Sequence, residues 1–101
     1  IGNLKGVFSA IGLIEVLTGP KKMGDTDLAF KYKALITSFS NLEILGINEK
    51  VVDLASDLRA KYGIKTPDAI HISSAIDAGA EKFITNDKKL RKVKEIKVEL
   101  L

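Results

Sequence analysis

The sequence around three acidic residues, Glu15, Asp68 and Asp87, predicts that their side chains lie close together in one site. Asp68 opens a predicted helix, Asp87 closes a predicted strand, and Glu15 is the one charged residue of an apolar helix. Carboxylates that gather at one place repel one another, and some protonate unless a cation holds them. An all-oxygen ligand set favours Mg²⁺ or Mn²⁺. With no cysteine and one histidine in the chain, a zinc site is poorly supported.

The segment that contains Asp68 and Asp87 predicts a helix followed by a strand. Thr66 suits the N-cap, Pro67 suits the first helical position, and Gly79 ends the helix. A helix over residues 67–79 descends roughly 20 Å at ~1.5 Å per residue. A strand of about five residues, beginning at Lys82, climbs back roughly 17 Å at ~3.3 Å per residue. We therefore expect both acids at the carboxyl edge of a sheet, where open α/β sheets place their sites.

Glu15 belongs to a second helix that the sequence places beside the same edge. Ser9 is the predicted N-cap, and Gly19 with Pro20 gives a stop signal. This helix is apolar on nearly every side, so we expect it to be buried. A buried carboxylate needs a cation or a hydrogen-bond donor. If a strand from Lys5 to Phe8 precedes the helix, Glu15 points to the edge that holds the other two acids.

The remaining elements complete an alternation of strands and helices. The pattern predicts a helix that Asp25 or Thr26 caps and Asn41 breaks, and then a strand over residues 42–47. A helix that Asn48 caps and Gly63 stops follows, with a last strand over residues 97–101. Such alternation favours an α/β protein with a central parallel sheet and helices on both faces. Tyr32, Leu35 and Phe39 share one face of their helix, which is either core or a partner surface.

Composition limits the classes of protein to consider. At 101 residues the chain is expected to form a single domain over residues 1–101. It contains no apolar run of about 18 residues, so no membrane span is expected. The absence of cysteine fits a cytoplasmic location. The net charge of +3 and the pI of about 9.2 are compatible with a polyanionic partner.

Positive charge is concentrated directly after Asp87. The cations in this basic segment, residues 88–94, are Lys88, Lys89, Arg91, Lys92 and Lys94. One interpretation is a solvated helix face. The other is a rim that binds phosphates beside the acidic site.

At this point the chain resembles a PIN domain, and most closely the small VapC-type toxins of bacterial and archaeal toxin–antitoxin pairs. Three segments carry the resemblance: Ser9 through Leu17 with its internal Glu15, Pro67-Asp68-Ala69-Ile70-His71, and Thr85-Asn86-Asp87. The family also begins with a strand that ends in an Asp, which this sequence lacks. The resemblance therefore implies a three-layer α/β/α sandwich whose first, central strand is absent. We expect about 30 residues to be missing, the size of a strand–helix unit.

The resemblance implies a metal-dependent endoribonuclease, the toxin of a type II toxin–antitoxin system. Glu15, Asp68 and Asp87 would be catalytic and would hold Mg²⁺ or Mn²⁺, which polarises the phosphate and activates water. Substrate RNA would contact Ser9, Thr85, Asn86, Lys88, Lys89 and Arg91. The implied partners are a VapB-like antitoxin and a second copy in a homodimer. A separate peptide, a swapped segment or further residues of the chain would fill the place of the absent strand.

Other interpretations remain open. The chain could be a non-catalytic PIN-like interaction module, or a phosphoryl-accepting receiver domain. The receiver is disfavoured because no acidic pair follows the first strand. Asp68 also suits the dipole of its helix, and Asp87 suits an N-cap. His71 lies one turn after Asp68; the pattern favours a packing role, with orientation of a substrate or carboxylate as the alternative.

Overall fold

The computed structural model describes residues 6–101. Strands and helices alternate as the sequence predicts. In chain order the elements are β1 (Gly6–Ser9), α1 (Ala10–Lys22), α2 (Thr26–Ser38), β2 (Leu42–Leu45), α3 (Glu49–Tyr62), α4 (Thr66–Asp77), β3 (Lys82–Thr85), a 3₁₀ helix (Lys88–Lys92) and β4 (Lys97–Leu100). Lys5, the predicted first residue of the first strand, lies outside the described residues.

The strands form two separate parallel pairs. In one pair, Gly6 of β1 lies opposite Leu42 of β2. In the other, Lys82 of β3 lies opposite Lys97 of β4. Within residues 6–101 no strand joins β1 to β3, so each of these strands is paired along one edge. The predicted mixture of helices and parallel strands is confirmed, but the predicted central sheet is divided into two.

The buried core lies mainly in the second half of the chain. It is formed by one face of α3 and of α4 and by apolar residues around the 3₁₀ helix; its members are Ala55, Leu58, Ile64, Ala69, Ile72, Ala75, Leu90, Val93 and Ile96. Asn48 caps α3, its Oδ1 accepting from the backbone N–H of Val51 at 2.9 Å. Gly63 ends that helix in the left-handed conformation, with φ of +67°.

Helix α1 differs from its prediction in length and in burial. It continues through Pro20 to Lys22, and Gly24 with φ of +76° follows it. Proline within a helix removes one hydrogen bond and crowds the preceding residue. Because that residue is Gly19, which has no Cβ, the crowding is small. The expected burial was wrong: only Gly12 and Pro20 of α1 are buried.

Helix α2 presents an apolar surface to solvent. Asp25 caps it, as predicted, by accepting a hydrogen bond from the N–H of Leu28 at 3.0 Å. Ala29 is its one buried residue. Tyr32, Leu35 and Phe39, which share one face, are 38%, 56% and 51% exposed, so this face is not core within the described part of the chain.

Helix α4 begins one residue earlier than predicted. Its N-cap is Lys65, and no side chain caps it, so the predicted capping role of Thr66 was wrong. Pro67 occupies the first turn and Gly79 follows the helix with φ of +77°, as predicted. None of the helices in residues 6–101 is long and apolar enough to cross a membrane.

Two buried serines are expected to respond oppositely to substitution by alanine. Ser73 is fully buried, and its hydroxyl has no hydrogen-bond partner among the described residues. An unpaired buried hydroxyl costs about 1–3 kcal/mol, so Ser73→Ala should raise the free energy of unfolding or leave it unchanged. Ser9 caps α1 by accepting from the N–H of Ile11 at 3.1 Å. Ser9→Ala should therefore lower that free energy by about 1 kcal/mol.

Urea denaturation of the two variants beside the wild type measures this contrast. A loss in Ser73→Ala as large as the loss in Ser9→Ala would contradict it, because Ser73 would then have to be hydrogen-bonded in solution.

Candidate functional site

The three predicted acids lie on three different elements. Glu15 is in the second turn of α1, and its side chain is 54% exposed. Asp68 is half-buried in the first turn of α4, where the helix dipole favours a negative charge. Asp87 is half-buried and follows β3 by two residues. The sequence reasoning placed Glu15 in a buried environment, and that expectation was wrong.

Glu15 is hydrogen-bonded to a residue of α4. Its Oε1 lies 2.9 Å from Nε2 of His71, although 56 positions separate the two residues. The His71 side chain is 20% exposed. Sequence reasoning favoured a packing role for this histidine and did not pair it with Glu15. A signal was present, because His71 lies one turn from Asp68 and is the single histidine of the chain.

Glu15 and His71 line a cavity between the two strand pairs. The cavity has a volume of about 460 Å³. Its walls come from β1, α1, α4 and β3, and the lining residues are Phe8, Ser9, Gly12, Glu15, Val16, His71, Phe83 and Ile84. Five of these residues are apolar and two are ionisable. The Glu15–His71 contact is therefore part of the wall of this cavity.

Gly12 permits the close approach of α1 and α4 at this cavity. A Cβ added to it would lie 2.9 Å from Cζ of Phe8 and 3.3 Å from Cε1 of His71. Carbon atoms normally stay at about 3.5–4.0 Å. A side chain at position 12 would therefore displace the Phe8 ring, the His71 ring, or both.

The residues after β3 form a tight turn. Oγ1 of Thr85 accepts a hydrogen bond from the backbone N–H of Asp87 at 3.1 Å. Oδ1 of Asp87 accepts from the N–H of Lys89 at 2.9 Å, so Asp87 caps the 3₁₀ helix. Asn86 is exposed between them. The capping interpretation of Asp87 is thus confirmed, whereas the predicted contacts of Thr85 and Asn86 with substrate stay predictions.

The described residues do not gather the three acids into one metal site. No group of three or more His, Cys, Asp or Glu side chains in residues 6–101 is placed to hold a metal ion. Glu15 is bound to His71 on the β1 side of the cavity, and Asp87 is bound to a backbone N–H after β3, in the other strand pair. The donor oxygens suit Mg²⁺ or Mn²⁺ chemically, but as placed they do not form a complete site. Their assignment as metal ligands stays a prediction.

The basic segment forms an exposed cationic surface directly after Asp87. Leu90 and Val93 are buried and hold the segment against the core. The five cations around them are exposed. None of the five takes part in an ion pair with another described residue. This charge is therefore available to an anionic partner.

Hydrogen bonds of Tyr62 and Glu95 connect the end of the basic segment to α3. The Tyr62 hydroxyl donates to Oε1 of Glu95 at 2.6 Å and accepts from the backbone N–H of Lys94 at 3.1 Å. Lys61 is paired with Oε2 of Glu95 at 3.1 Å. The hydrogen bond from Tyr62 holds the pKa of Glu95 below its ordinary value, and Lys61 adds to this effect. The pKa of Lys61 is raised in turn, chiefly by its hydrogen bond to Glu95.

Removing the Tyr62 hydroxyl should raise the pKa of Glu95 toward its ordinary value. Because the folded-state pKa of Glu95 is lowered, its contribution to stability is present above the unfolded-state pKa and is lost as pH falls through the folded-state pKa. Tyr62→Phe should thus lower the free energy of unfolding at neutral pH, and the variant and the wild type should become equally stable in acid. Because Glu95 is exposed, the difference at neutral pH should be below about 1 kcal/mol.

An NMR titration of the Glu95 carboxyl, with urea unfolding at neutral and acid pH, measures both effects. Equal Glu95 pKa values in the wild type and in Tyr62→Phe would contradict the assigned role of the hydroxyl.

Comparison with known proteins adds a family match. The sequence model of the PIN domain family matches residues 3–96. A search of curated proteins returns no significant match.

Solved structures with a similar fold include chains of toxin–antitoxin complexes. One is from a toxin–antitoxin complex of Klebsiella pneumoniae, with a TM-score of 0.71 and 26% identity, over 92% of this chain and 72% of that chain. Another is from VapBC2 of Rickettsia felis bound to a DNA fragment from their promoter, with a TM-score of 0.80 and 23% identity, over 98% and 76%. A third is from DNA-bound VapBC of Salmonella typhimurium, with a TM-score of 0.74 and 19% identity, over 93% and 74%.

Proposed function

This chain belongs to the PIN domain family, and from that premise we propose that it is a metal-dependent endoribonuclease, the toxin of a type II toxin–antitoxin pair. The observation that carries the proposal is the family match over residues 3–96. Similarity to chains of toxin–antitoxin complexes supports the assignment to a toxin. The reaction proposed is hydrolysis of a phosphodiester bond of RNA.

In this proposal Glu15, Asp68 and Asp87 are the catalytic acids. They would supply oxygen ligands to Mg²⁺ or Mn²⁺, the ions that such ligands prefer. Because the described residues do not complete a metal site, at least one further donor is required. By resemblance to the family, an Asp at the end of an additional strand would be that donor.

The basic segment is proposed to bind the RNA backbone. Lys88, Lys89 and Arg91 are exposed and follow Asp87 directly. Cations that neutralise phosphates supply sequence-independent affinity that weakens as salt rises. Ser9, Thr85 and Asn86 are further proposed substrate contacts. Single-stranded or loop RNA is the preferred class of substrate, because its backbone and bases are accessible.

Cleavage of a mixed single-stranded RNA pool tests the proposal. We expect cutting in Mg²⁺ or Mn²⁺ and none in EDTA. Glu15→Gln, Asp68→Asn and Asp87→Asn should each lower the rate by about 100-fold or more, since each removes an anionic oxygen ligand of the metal. Asp57→Asn, a change at an exposed acid of α3, is the matched control and should retain activity.

Each outcome of this assay has a distinct meaning. Equal activity in Glu15→Gln and Asp57→Asn would contradict the assignment of Glu15 as a catalytic residue. Absence of cutting by a folded protein that still binds an antitoxin would favour the non-catalytic interaction module. Cutting that persists in EDTA would contradict metal dependence.

A fifth, parallel strand is proposed to lie between β1 and β3. Each of these strands has one edge without a partner in the described residues, and both line the same cavity. Backbone N–H and C=O groups that are withdrawn from water need hydrogen-bond partners. Phe8 and Phe83 supply apolar surface on the two sides. The strand would come from a separate peptide, from a segment swapped from a second copy, or from further residues of the protein's own polypeptide.

Hydrogen exchange of the backbone amides tests the additional strand. If it is present, nearly all amides of Gly6–Ser9 and Lys82–Thr85 should be protected, whereas two separate pairs leave alternate amides open. Protection that is lost on dilution would mean a strand swapped from a second copy. Protection that appears only with an added peptide would mean a separate chain, and open amides under every condition would contradict the proposal.

An antitoxin is the proposed partner for the exposed apolar face of α2. Tyr32, Leu35 and Phe39 share this face and are 38%, 56% and 51% exposed, and an exposed apolar face of this kind marks an interaction surface. The proposed homodimer would compete for the same face. Light scattering of the protein with and without its antitoxin separates the two occupants.

A further inference from the structure

The contact between Glu15 and His71 is a polar link between α1 and α4. Oε1 of Glu15 and Nε2 of His71 are 2.9 Å apart, a normal hydrogen-bond distance. The carboxylate is 54% exposed and the imidazole is 20% exposed. The less mobile, more buried partner is therefore the histidine.

The surroundings of His71 fix the position of its ring. Its Cε1 lies against Gly12 of α1, where an added Cβ would be only 3.3 Å away. His71 is also part of the wall of the cavity between β1 and β3. With one edge of the ring against Gly12, its Nε2 lies 2.9 Å from Oε1 of Glu15.

A hydrogen-bond donor in a fixed position restricts the side-chain conformation of an exposed carboxylate most strongly. Without a partner, a half-exposed glutamate on a helix samples several rotamers, and ordering it costs entropy. A hydrogen bond to one oxygen selects the rotamers in which the other oxygen points away from the donor. In residues 6–101 the contact with His71 is the hydrogen bond that the Glu15 carboxylate makes. Oε2 is thus left for another ligand.

We propose that His71 is a positioning residue: its imidazole donates from Nε2 to Oε1 of Glu15 and so sets the orientation of that carboxylate at the cavity between the strand pairs. This inference rests on the proposed function for its catalytic consequence. The contact itself can be measured without any activity. The competing explanation is that His71 only packs between α1 and α4.

NMR of the imidazole nitrogens tests the contact directly. The chain has one histidine, so a single imidazole is observed. We expect a proton on Nε2 that is hydrogen-bonded to Glu15 and therefore exchanges slowly with water. Glu15→Gln keeps an acceptor oxygen and should keep this hydrogen bond, whereas Glu15→Met should lose it, which would shift the Nε2 proton resonance and speed its exchange with water. A neutral imidazole with its proton on Nδ1 alone in the wild type, or an unchanged spectrum in Glu15→Met, would overturn the proposal.

Kinetics of RNA cleavage test the consequence. His71→Leu removes the donor and should lower kcat by about 10- to 100-fold, the usual loss when a residue that orients a site residue is removed. His71→Gln, whose amide can donate from a similar position, should recover most of that loss, and KM should change little in either variant. Lys82→Gln is the control; it breaks the exposed pair of Lys82 with Glu99 and should retain full activity.

The outcomes separate the two proposals. A wild-type protein that shows the hydrogen-bonded Nε2 proton but never cuts RNA would refute the nuclease and leave the orientation of Glu15 by His71 in place. Equal kcat in His71→Leu, His71→Gln and the wild type would overturn the positioning role while the nuclease stands. Equal losses of kcat in His71→Leu and His71→Gln, with unchanged thermal stability, would also overturn the positioning role. The amide donor of glutamine would then have failed to replace the donor of His71.

Discussion

The hydrogen-bonding requirement of parallel strands is the constraint on which the rest of this structure depends. A parallel strand satisfies its backbone groups through neighbours on both sides when it lies inside a sheet. Here β1 and β3 each pair with one neighbour in the described residues. Helix α4 packs against both β1 and β3, and α1 packs against β1 and α4, so the positions of Glu15 and His71 depend on how the space between the two pairs is filled. Glu15 lies on one side of it and Asp87 follows the strand on the other.

The two halves of the chain differ in how they are stabilised. Helices α3 and α4 and the segment around the 3₁₀ helix bury a continuous apolar cluster, including Leu58 and Ile72 at 2% and 0% exposure. In the first half, α1 and α2 leave Ile14 and Phe30 59% and 74% exposed. Exposed apolar area contributes nothing to folding until it is covered. The first half is therefore the part whose stability would gain most from an added strand or a protein partner.

Local chemistry explains which features could be predicted from the sequence. The caps at Ser9, Asp25 and Asn48 and the stop at Gly63 each depend on a side chain or backbone conformation within a few residues, and all four are confirmed. Burial of α1 was not predictable from its apolar composition, because burial depends on what packs against a helix. The Glu15–His71 pair was missed for the same reason: it joins residues 56 positions apart, and no local pattern encodes such a contact.

The exposure of Glu15 changes the physical account of its role. A buried carboxylate would need a cation or several donors merely to remain ionised. A carboxylate that is 54% exposed is in contact with water, so its hydrogen bond to His71 is not needed to offset burial. The hydrogen bond instead gives the Glu15 carboxylate a preferred orientation. Because His71 of α4 engages one carboxylate oxygen of Glu15, the helix that carries Asp68 also orients the acid of α1. Orientation of Glu15 is thus coupled to the packing of α1 on α4 through Gly12.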